Sequence, residues 1–197
     1  TIAKADISPA VSMADWTYGG TASTPSVSGN PENGTVTYAY KVSTADDNTY
    51  TTAKPSNAGS YTVKASIAAT GNYNAGEATT DFIIEKAKWE TPNAPTAADS
   101  GVSTRSITLH SHEGYAYRLG ENGAWSNSSV FSDLAVNTSY SFCQKHTADD
   151  NHEESDVSPA AEISTAAHNH EWRYSVTATE TENDTISAVC ADGDGGH

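Results

Sequence analysis

Leucine is almost missing: three residues in a chain of 197. Helical bundles fill their cores mainly with Leu, so that class is excluded. No apolar run approaches the ~20 residues that a membrane-spanning helix needs. Positive charge is scarce as well, with 10 Lys and Arg against 25 Asp and Glu, a net of −15. Every segment of the chain shares the deficit. Nucleic acid and anionic membrane surfaces require basic patches and are poor partners. There are 2 cysteines, Cys143 and Cys190, too few for a disulfide framework. A single bridge between them would require two separate modules to meet. No signal peptide or anchor motif is present, and Thr1-Ile2-Ala3-Lys4-Ala5 reads as the middle of a longer chain. Nucleophile-elbow, zinc-protease and phosphate-loop motifs are all missing. Nothing in the sequence argues for an enzyme.

The hydrophobic set is 36% of the chain, and 29 of those residues are Ala. The larger apolar residues are mainly Val, Ile and Tyr. With abundant Thr, they favour strands. They are spread evenly, which predicts several small cores rather than one. A short repeat sets the spacing. Ile2-Ala3-Lys4-Ala5 returns as Ile84-Glu85-Lys86-Ala87, an interval that suits one small β domain. Residues 1–4 are therefore expected to be the tail of a preceding module, and 5–87 the first domain.

Within 5–87, turns at Pro31-Glu32-Asn33-Gly34, Asn57-Ala58-Gly59 and Gly71-Asn72-Tyr73-Asn74 separate strand-like runs. Tyr61, Val63, Ala65 and Ile67 fall on one face by period two, as do Phe82 and Ile84. Residues 88–166 follow the same grammar after a Pro-containing joint, Thr91-Pro92-Asn93-Ala94-Pro95, which predicts a short, stiff linker. Ile107 and Leu109 share one face. Tyr115, Tyr117 and Leu119 line the next strand. Asn122-Gly123 predicts a type I′ hairpin turn. Tyr140 suits a tyrosine corner, its hydroxyl capping backbone at a sandwich edge. Cys143 falls opposite Tyr140 and Phe142 and is expected to be partly exposed. Residues 167–197 hold two strand-like runs, 172–179 and 185–190. They form an incomplete third module or a hairpin tail.

Trp16-Thr17-Tyr18-Gly19, Ser26-Val27-Ser28-Gly29-Asn30-Pro31, Asn57-Ala58-Gly59-Ser60-Tyr61-Thr62-Val63 and Phe82-Ile83-Ile84 carry a resemblance. On them, 5–87 resembles a bacterial Ig-like surface repeat of the MBG type. On Pro95-Thr96, Ser106-Ile107-Thr108-Leu109, Tyr115-Ala116-Tyr117 and the run from Leu134 to Phe142, 88–166 resembles a bacterial fibronectin type III domain. It departs from the animal pattern, because the Ile107/Leu109 strand stands where an early core Trp is usual. The last 31 residues are similar to short His-x-x-Trp…Cys repeats near the ends of some Gram-positive surface proteins. These resemblances imply an all-β fold of tandem Ig-like and fibronectin III-like sandwiches. They also imply a secreted or cell-surface protein, and they imply no catalytic site.

Four groups of residues invite chemistry. His168, His170, Cys190 and His197 match the N/S ligand preference of zinc, although their spacing fits no standard finger. Asp192-Gly193-Asp194-Gly195-Gly196 is half a calcium loop without the remaining oxygen ligands. The competing reading of both is a polar tail, in which case no cofactor is held. Asp149, Asp150, His152 and Glu153 lie between two strands of the second domain, where loops carry binding in such scaffolds. Trp125 follows the hairpin and is positioned to stack on a sugar. Core or edge packing is the alternative for the tryptophans, and a solvated loop is the alternative for the acidic run.

The expected function is a non-catalytic spacer or stalk in a multidomain bacterial surface protein. Its partners would be neighbouring repeats, and its form an elongated monomer. The alternatives are an adhesin module for glycans or host proteins and an accessory region of a large extracellular enzyme.

Overall fold

The structure is a computed structural model that describes residues 2–168, together with the backbone of 172–177 and 185–190. The chain forms β1 (Ala10–Ser12), β2 (Trp16–Thr17), β3 (Ser26–Ser28), β4 (Val36–Val42), β5 (Gly59–Ile67), β6 (Gly76–Glu85) and β7 (Ala87–Lys88). It continues with β8 (Ala97–Val102), β9 (Ile107–Leu109), β10 (Tyr115–Leu119), β11 (Val130–Phe131) and β12 (Ser139–His146). The last strands are β13 (His152–Glu153), β14 (Ala161–Ser164), β15 (Trp172–Thr177) and β16 (Thr185–Cys190). Only two short helical turns interrupt the strands of the described residues. The fold class is all-β.

Two compact units divide the chain. One comprises Thr1–Pro92 with Lys145–Val157, the other Asn93–Gln144 with Ser158–His197. The first unit packs a four-stranded sheet, β2-β6-β5-β4, with the β1-β3 pair. The long β5/β6 ladder runs from Gly59↔Ile84 to Ile67↔Gly76. Val63, Ala65 and Ile67 of β5 and Phe82 and Ile84 of β6 are all buried, which is the face that period two assigns. Val11 from β1 and Val27 from β3 join Tyr40, Val63 and Phe82 in one cluster. Residues of both sheets meet in that core, so the unit is a sandwich.

In the second unit, the sheets β11-β9-β8 and β10-β12-β14 each have three strands. Ile107 and Leu109 from the first sheet pack with Tyr117 and Phe142 from the second, and Leu134 closes the cluster. This is a second sandwich of Ig-like type. The tyrosine corner is present: the Tyr140 hydroxyl accepts the Ala135 N–H at 2.7 Å. Tyr117 makes a second such corner, accepting the His112 N–H at 2.7 Å and donating to the His110 carbonyl at 3.2 Å. Strands β15 and β16 pair antiparallel, with Trp172 opposite Cys190.

Two local expectations are corrected. The turn after β10 does not place Asn122 and Gly123 at positive φ; the left-handed residue is Gly120, at φ 67°. A wider loop results, and strand pairing resumes at Tyr117↔Ser126. Gly123 is required there for another reason, since a Cβ on it would fall onto the carbonyl oxygen of Leu119. Cys143 is buried at 8% exposure, not partly exposed, and is a free thiol. It lies on β12, the middle strand of its sheet, flanked by β10 and β14.

Candidate functional site

The segment 145–157 folds as part of the first unit. Its local structure starts at Asp149. This carboxylate accepts the backbone N–H of Asn151 at 2.8 Å and of His152 at 2.6 Å, which closes the turn that the Asp-Asp-Asn run encodes. It also lies 3.0 Å from Nδ1 of the His152 ring. Desolvation pushes the Asp149 carboxyl up. The hydrogen bonds from Asn151 and His152 outweigh it and hold the group below its ordinary value.

The turn aims the next residues at β7. Strand β13 runs parallel to it, with His152 opposite Ala87 and Glu153 opposite Lys88. The Ala87 N–H donates to the Asn151 carbonyl at 3.0 Å. The Asn151 side chain accepts the Ala58 N–H at 2.9 Å, and Lys86 donates to the Asp149 carbonyl at 2.6 Å. Lys88 pairs with Asp156 at 2.7 Å, and Lys145 with Glu154 at 2.6 Å.

Trp89 sits at the centre of this arrangement. Its ring is stacked between two imidazoles, His146 at 4.1 Å and His152 at 3.7 Å between centroids. Tyr18 meets the His152 ring edge-on at 5.1 Å. Aromatic pairs of this kind contribute about 0.5–1.5 kcal/mol each beyond the area they bury. The two imidazoles lie on opposite faces of the indole, which holds them apart and away from a shared metal ion.

The sequence-assigned residues therefore have distinct fates. Asp149 and His152 are brought together, but their partners are other residues of the same unit. Asp150 and Glu153 are exposed. Trp125 is half-buried, with the Arg118 guanidinium 4.7 Å above its ring. His168 is half-buried, while His170 and His197 lie outside the described residues, as does the Asp192–Gly196 stretch. Cys190 is described only as a backbone position at the end of β16. No group of three or more His, Cys, Asp and Glu side chains suited to a metal occurs among the described residues. No helix among them is long and apolar enough to cross a membrane.

Trp89, His146, Tyr18 and Lys86 were not legible as a group. Lys86-Ala87-Lys88-Trp89 is too short to carry a periodicity, and a parallel partner more than sixty residues further on leaves no local signal.

No protein-family model matches the chain, and no curated protein does. Among solved structures, the chain is similar to fibronectin domains of chicken contactin. That likeness has 17% identity and TM-score 0.34, and it covers 66% of this chain and 53% of that one. It is also similar to a set of titin domains at 16% identity and TM-score 0.30, covering 72% of this chain and 57% of that one. The chain thus spans little more than half the length of either. The sandwich assignment rests on the two shared cores, not on these likenesses.

Proposed function

We propose that this chain is a non-catalytic spacer segment of a secreted or wall-attached bacterial surface protein, with an MBG-type repeat followed by a fibronectin III-like domain. The observation that carries the proposal is the way the first unit joins its two ends. Strand β2 pairs in parallel with the end of β6, Trp16 opposite Ile84 and Thr17 opposite Glu85. The Tyr18 N–H extends this ladder to the Glu85 carbonyl at 2.8 Å. Ala5 bridges Tyr73 in parallel as well, through bonds of 2.9 and 2.8 Å. When an early strand and a late strand run parallel, tension along the chain pulls them in opposite directions along their shared axis. The hydrogen bonds are then loaded together in shear instead of opening one by one.

The 149–154 loop supports the same function. Asp149, Asn151 and His152, which a binding loop would present, are engaged within the unit. The chain's acidic excess keeps such a segment solvated and self-repelling.

The rival adhesin function is separable by experiment. The folded chain is applied to an array of glycans and matrix proteins beside Trp125→Ala and Asp150→Asn/Glu153→Gln variants. The spacer proposal expects no signal that depends on these residues. A specific signal lost in either variant would overturn it in favour of an adhesin.

A further inference from the structure

The match of Ile2-Ala3-Lys4-Ala5 with Ile84-Glu85-Lys86-Ala87 extends from sequence to hydrogen bonding, and both runs lie in the first unit. Lys86 donates to the Asp149 carbonyl at 2.6 Å, and Lys4 donates to the Thr70 carbonyl at 2.6 Å. The Ala87 N–H donates to the Asn151 carbonyl at 3.0 Å, and the Ala5 N–H to the Asn72 carbonyl at 2.9 Å. Ala87 runs parallel to His152, and Ala5 to Tyr73. The receiving turns close alike. The Asp149 N–H donates to the His152 carbonyl and the Thr70 N–H to the Tyr73 carbonyl, both at 3.0 Å. One Ile-x-Lys-Ala run thus docks on Asp149-Asp150-Asn151-His152, the other on Thr70-Gly71-Asn72-Tyr73.

The two dockings differ in what covers them. At the inner one, Ile84 is 1% exposed in the core of the unit. The Asn151 Oδ1 accepts the Ala58 N–H at 2.9 Å, and Tyr18 meets the His152 ring at 5.1 Å. At the outer one, Ile2 is 102% exposed and Asn72 is exposed. The Asn72 Nδ2 donates to Glu32 at 2.5 Å, which leaves its Oδ1 as the acceptor for a neighbour. Residues 2–5 and 71–73 line an open cleft of about 280 Å³. They correspond, position for position, to 84–87 and 150–152, where Ala58 and Tyr18 are seated.

We propose that the outer face seats a preceding β module of the first unit's own kind, joined to it through Ile2. That module takes Ile2 into its core as this unit takes Ile84. Its counterparts of Ala58 and Tyr18 cover Asn72 and Tyr73. Chain direction favours this occupant over a separate protein. Ile2 stands as far before Ala5 as Ile84 before Ala87, so a strand that delivers Ile2 to a core runs on into the docked Ala5. The inference rests on the spacer reading and names the neighbour which that reading requires.

The test lengthens the full chain by one module. Residues 5–83 are placed directly before Ile2, so that Phe82-Ile83 of the added copy run on into Ile2. Hydrogen exchange is then read in the added copy. Its β5 amides are expected to be protected, with Ile2 completing the core. Its Ala58 amide should exchange roughly tenfold more slowly than in the same lengthened chain carrying Asn72→Ala. The same comparison at the inner docking, Asn151→Ala read at the original Ala58 amide, sets the scale. The proposal is overturned if the β5 amides of the added copy exchange as in an unfolded chain, since Ile2 then completes no core. It is equally overturned if those amides are protected but the Ala58 amide is indifferent to Asn72→Ala. Neither result bears on the shear pairing of β2 and β6, so the spacer proposal can fail or survive separately.

Discussion

Tyr140 shows what a single residue contributes. Its hydroxyl accepts the Ala135 N–H at 2.7 Å and fixes the approach to β12. Tyr140→Phe keeps the ring and removes that acceptor, so chemical denaturation should show a loss of about 1 kcal/mol. An unchanged midpoint would mean that the corner does not stabilise the unit. Asp149 makes a pH-dependent claim. Its carboxyl lies below the ordinary value in the folded chain, so the stabilisation it provides is present above the unfolded value. It is lost as the pH falls through the folded one. Hydrogen exchange at the Asn151 and His152 amides, corrected for intrinsic rates, should therefore be protected at pH 6 and lose protection only after the pH has fallen past the ordinary Asp value of about 3.9. In Asp149→Asn that loss should vanish. The corner was legible in the sequence because its two partners lie five residues apart. The partners of Asp149 beyond its own turn were not legible, since Lys86 lies 63 positions away.

Elements were legible where one face is buried. Val63, Ala65 and Ile67 on β5, and Ile107 and Leu109 on β9, are buried at every second position, with half-buried Lys64, Ser66 and Thr108 between them. Turn chemistry was less legible. Asn122-Gly123 carries a strong hairpin signal, yet the loop takes its positive φ at Gly120, and Gly123 instead serves a close approach to the Leu119 carbonyl. Two-residue strands such as β7 and β13 carry no periodicity, and only tertiary pairing defines them. Their ladder makes a prediction of its own. Ala87→Pro removes the N–H that bonds to the Asn151 carbonyl. Exchange protection across 151–153 should fall in that variant, while the β5/β6 ladder stays protected. Equal loss in both places would show that β7 holds the whole sandwich together and not the 145–157 segment alone.

At the scale of the whole molecule, composition predicted several small cores, and the described residues hold two. Charge balance and the scarcity of Leu excluded classes but named no ligand. The functional conclusion comes instead from the direction of strands that the sequence does not reveal. Parallel pairing of β2 with β6 converts an ordinary sandwich into one whose ends are held in shear. The most direct measurement is single-molecule stretching of the full chain from its termini. Discrete unfolding steps are expected, each releasing on the order of 80 residues, or roughly 270 Å of contour. The step of the first unit should shift to lower force in Tyr18→Pro, which lacks the N–H that bonds Glu85. A featureless extension, or a first-unit force unchanged by Tyr18→Pro, would contradict the account.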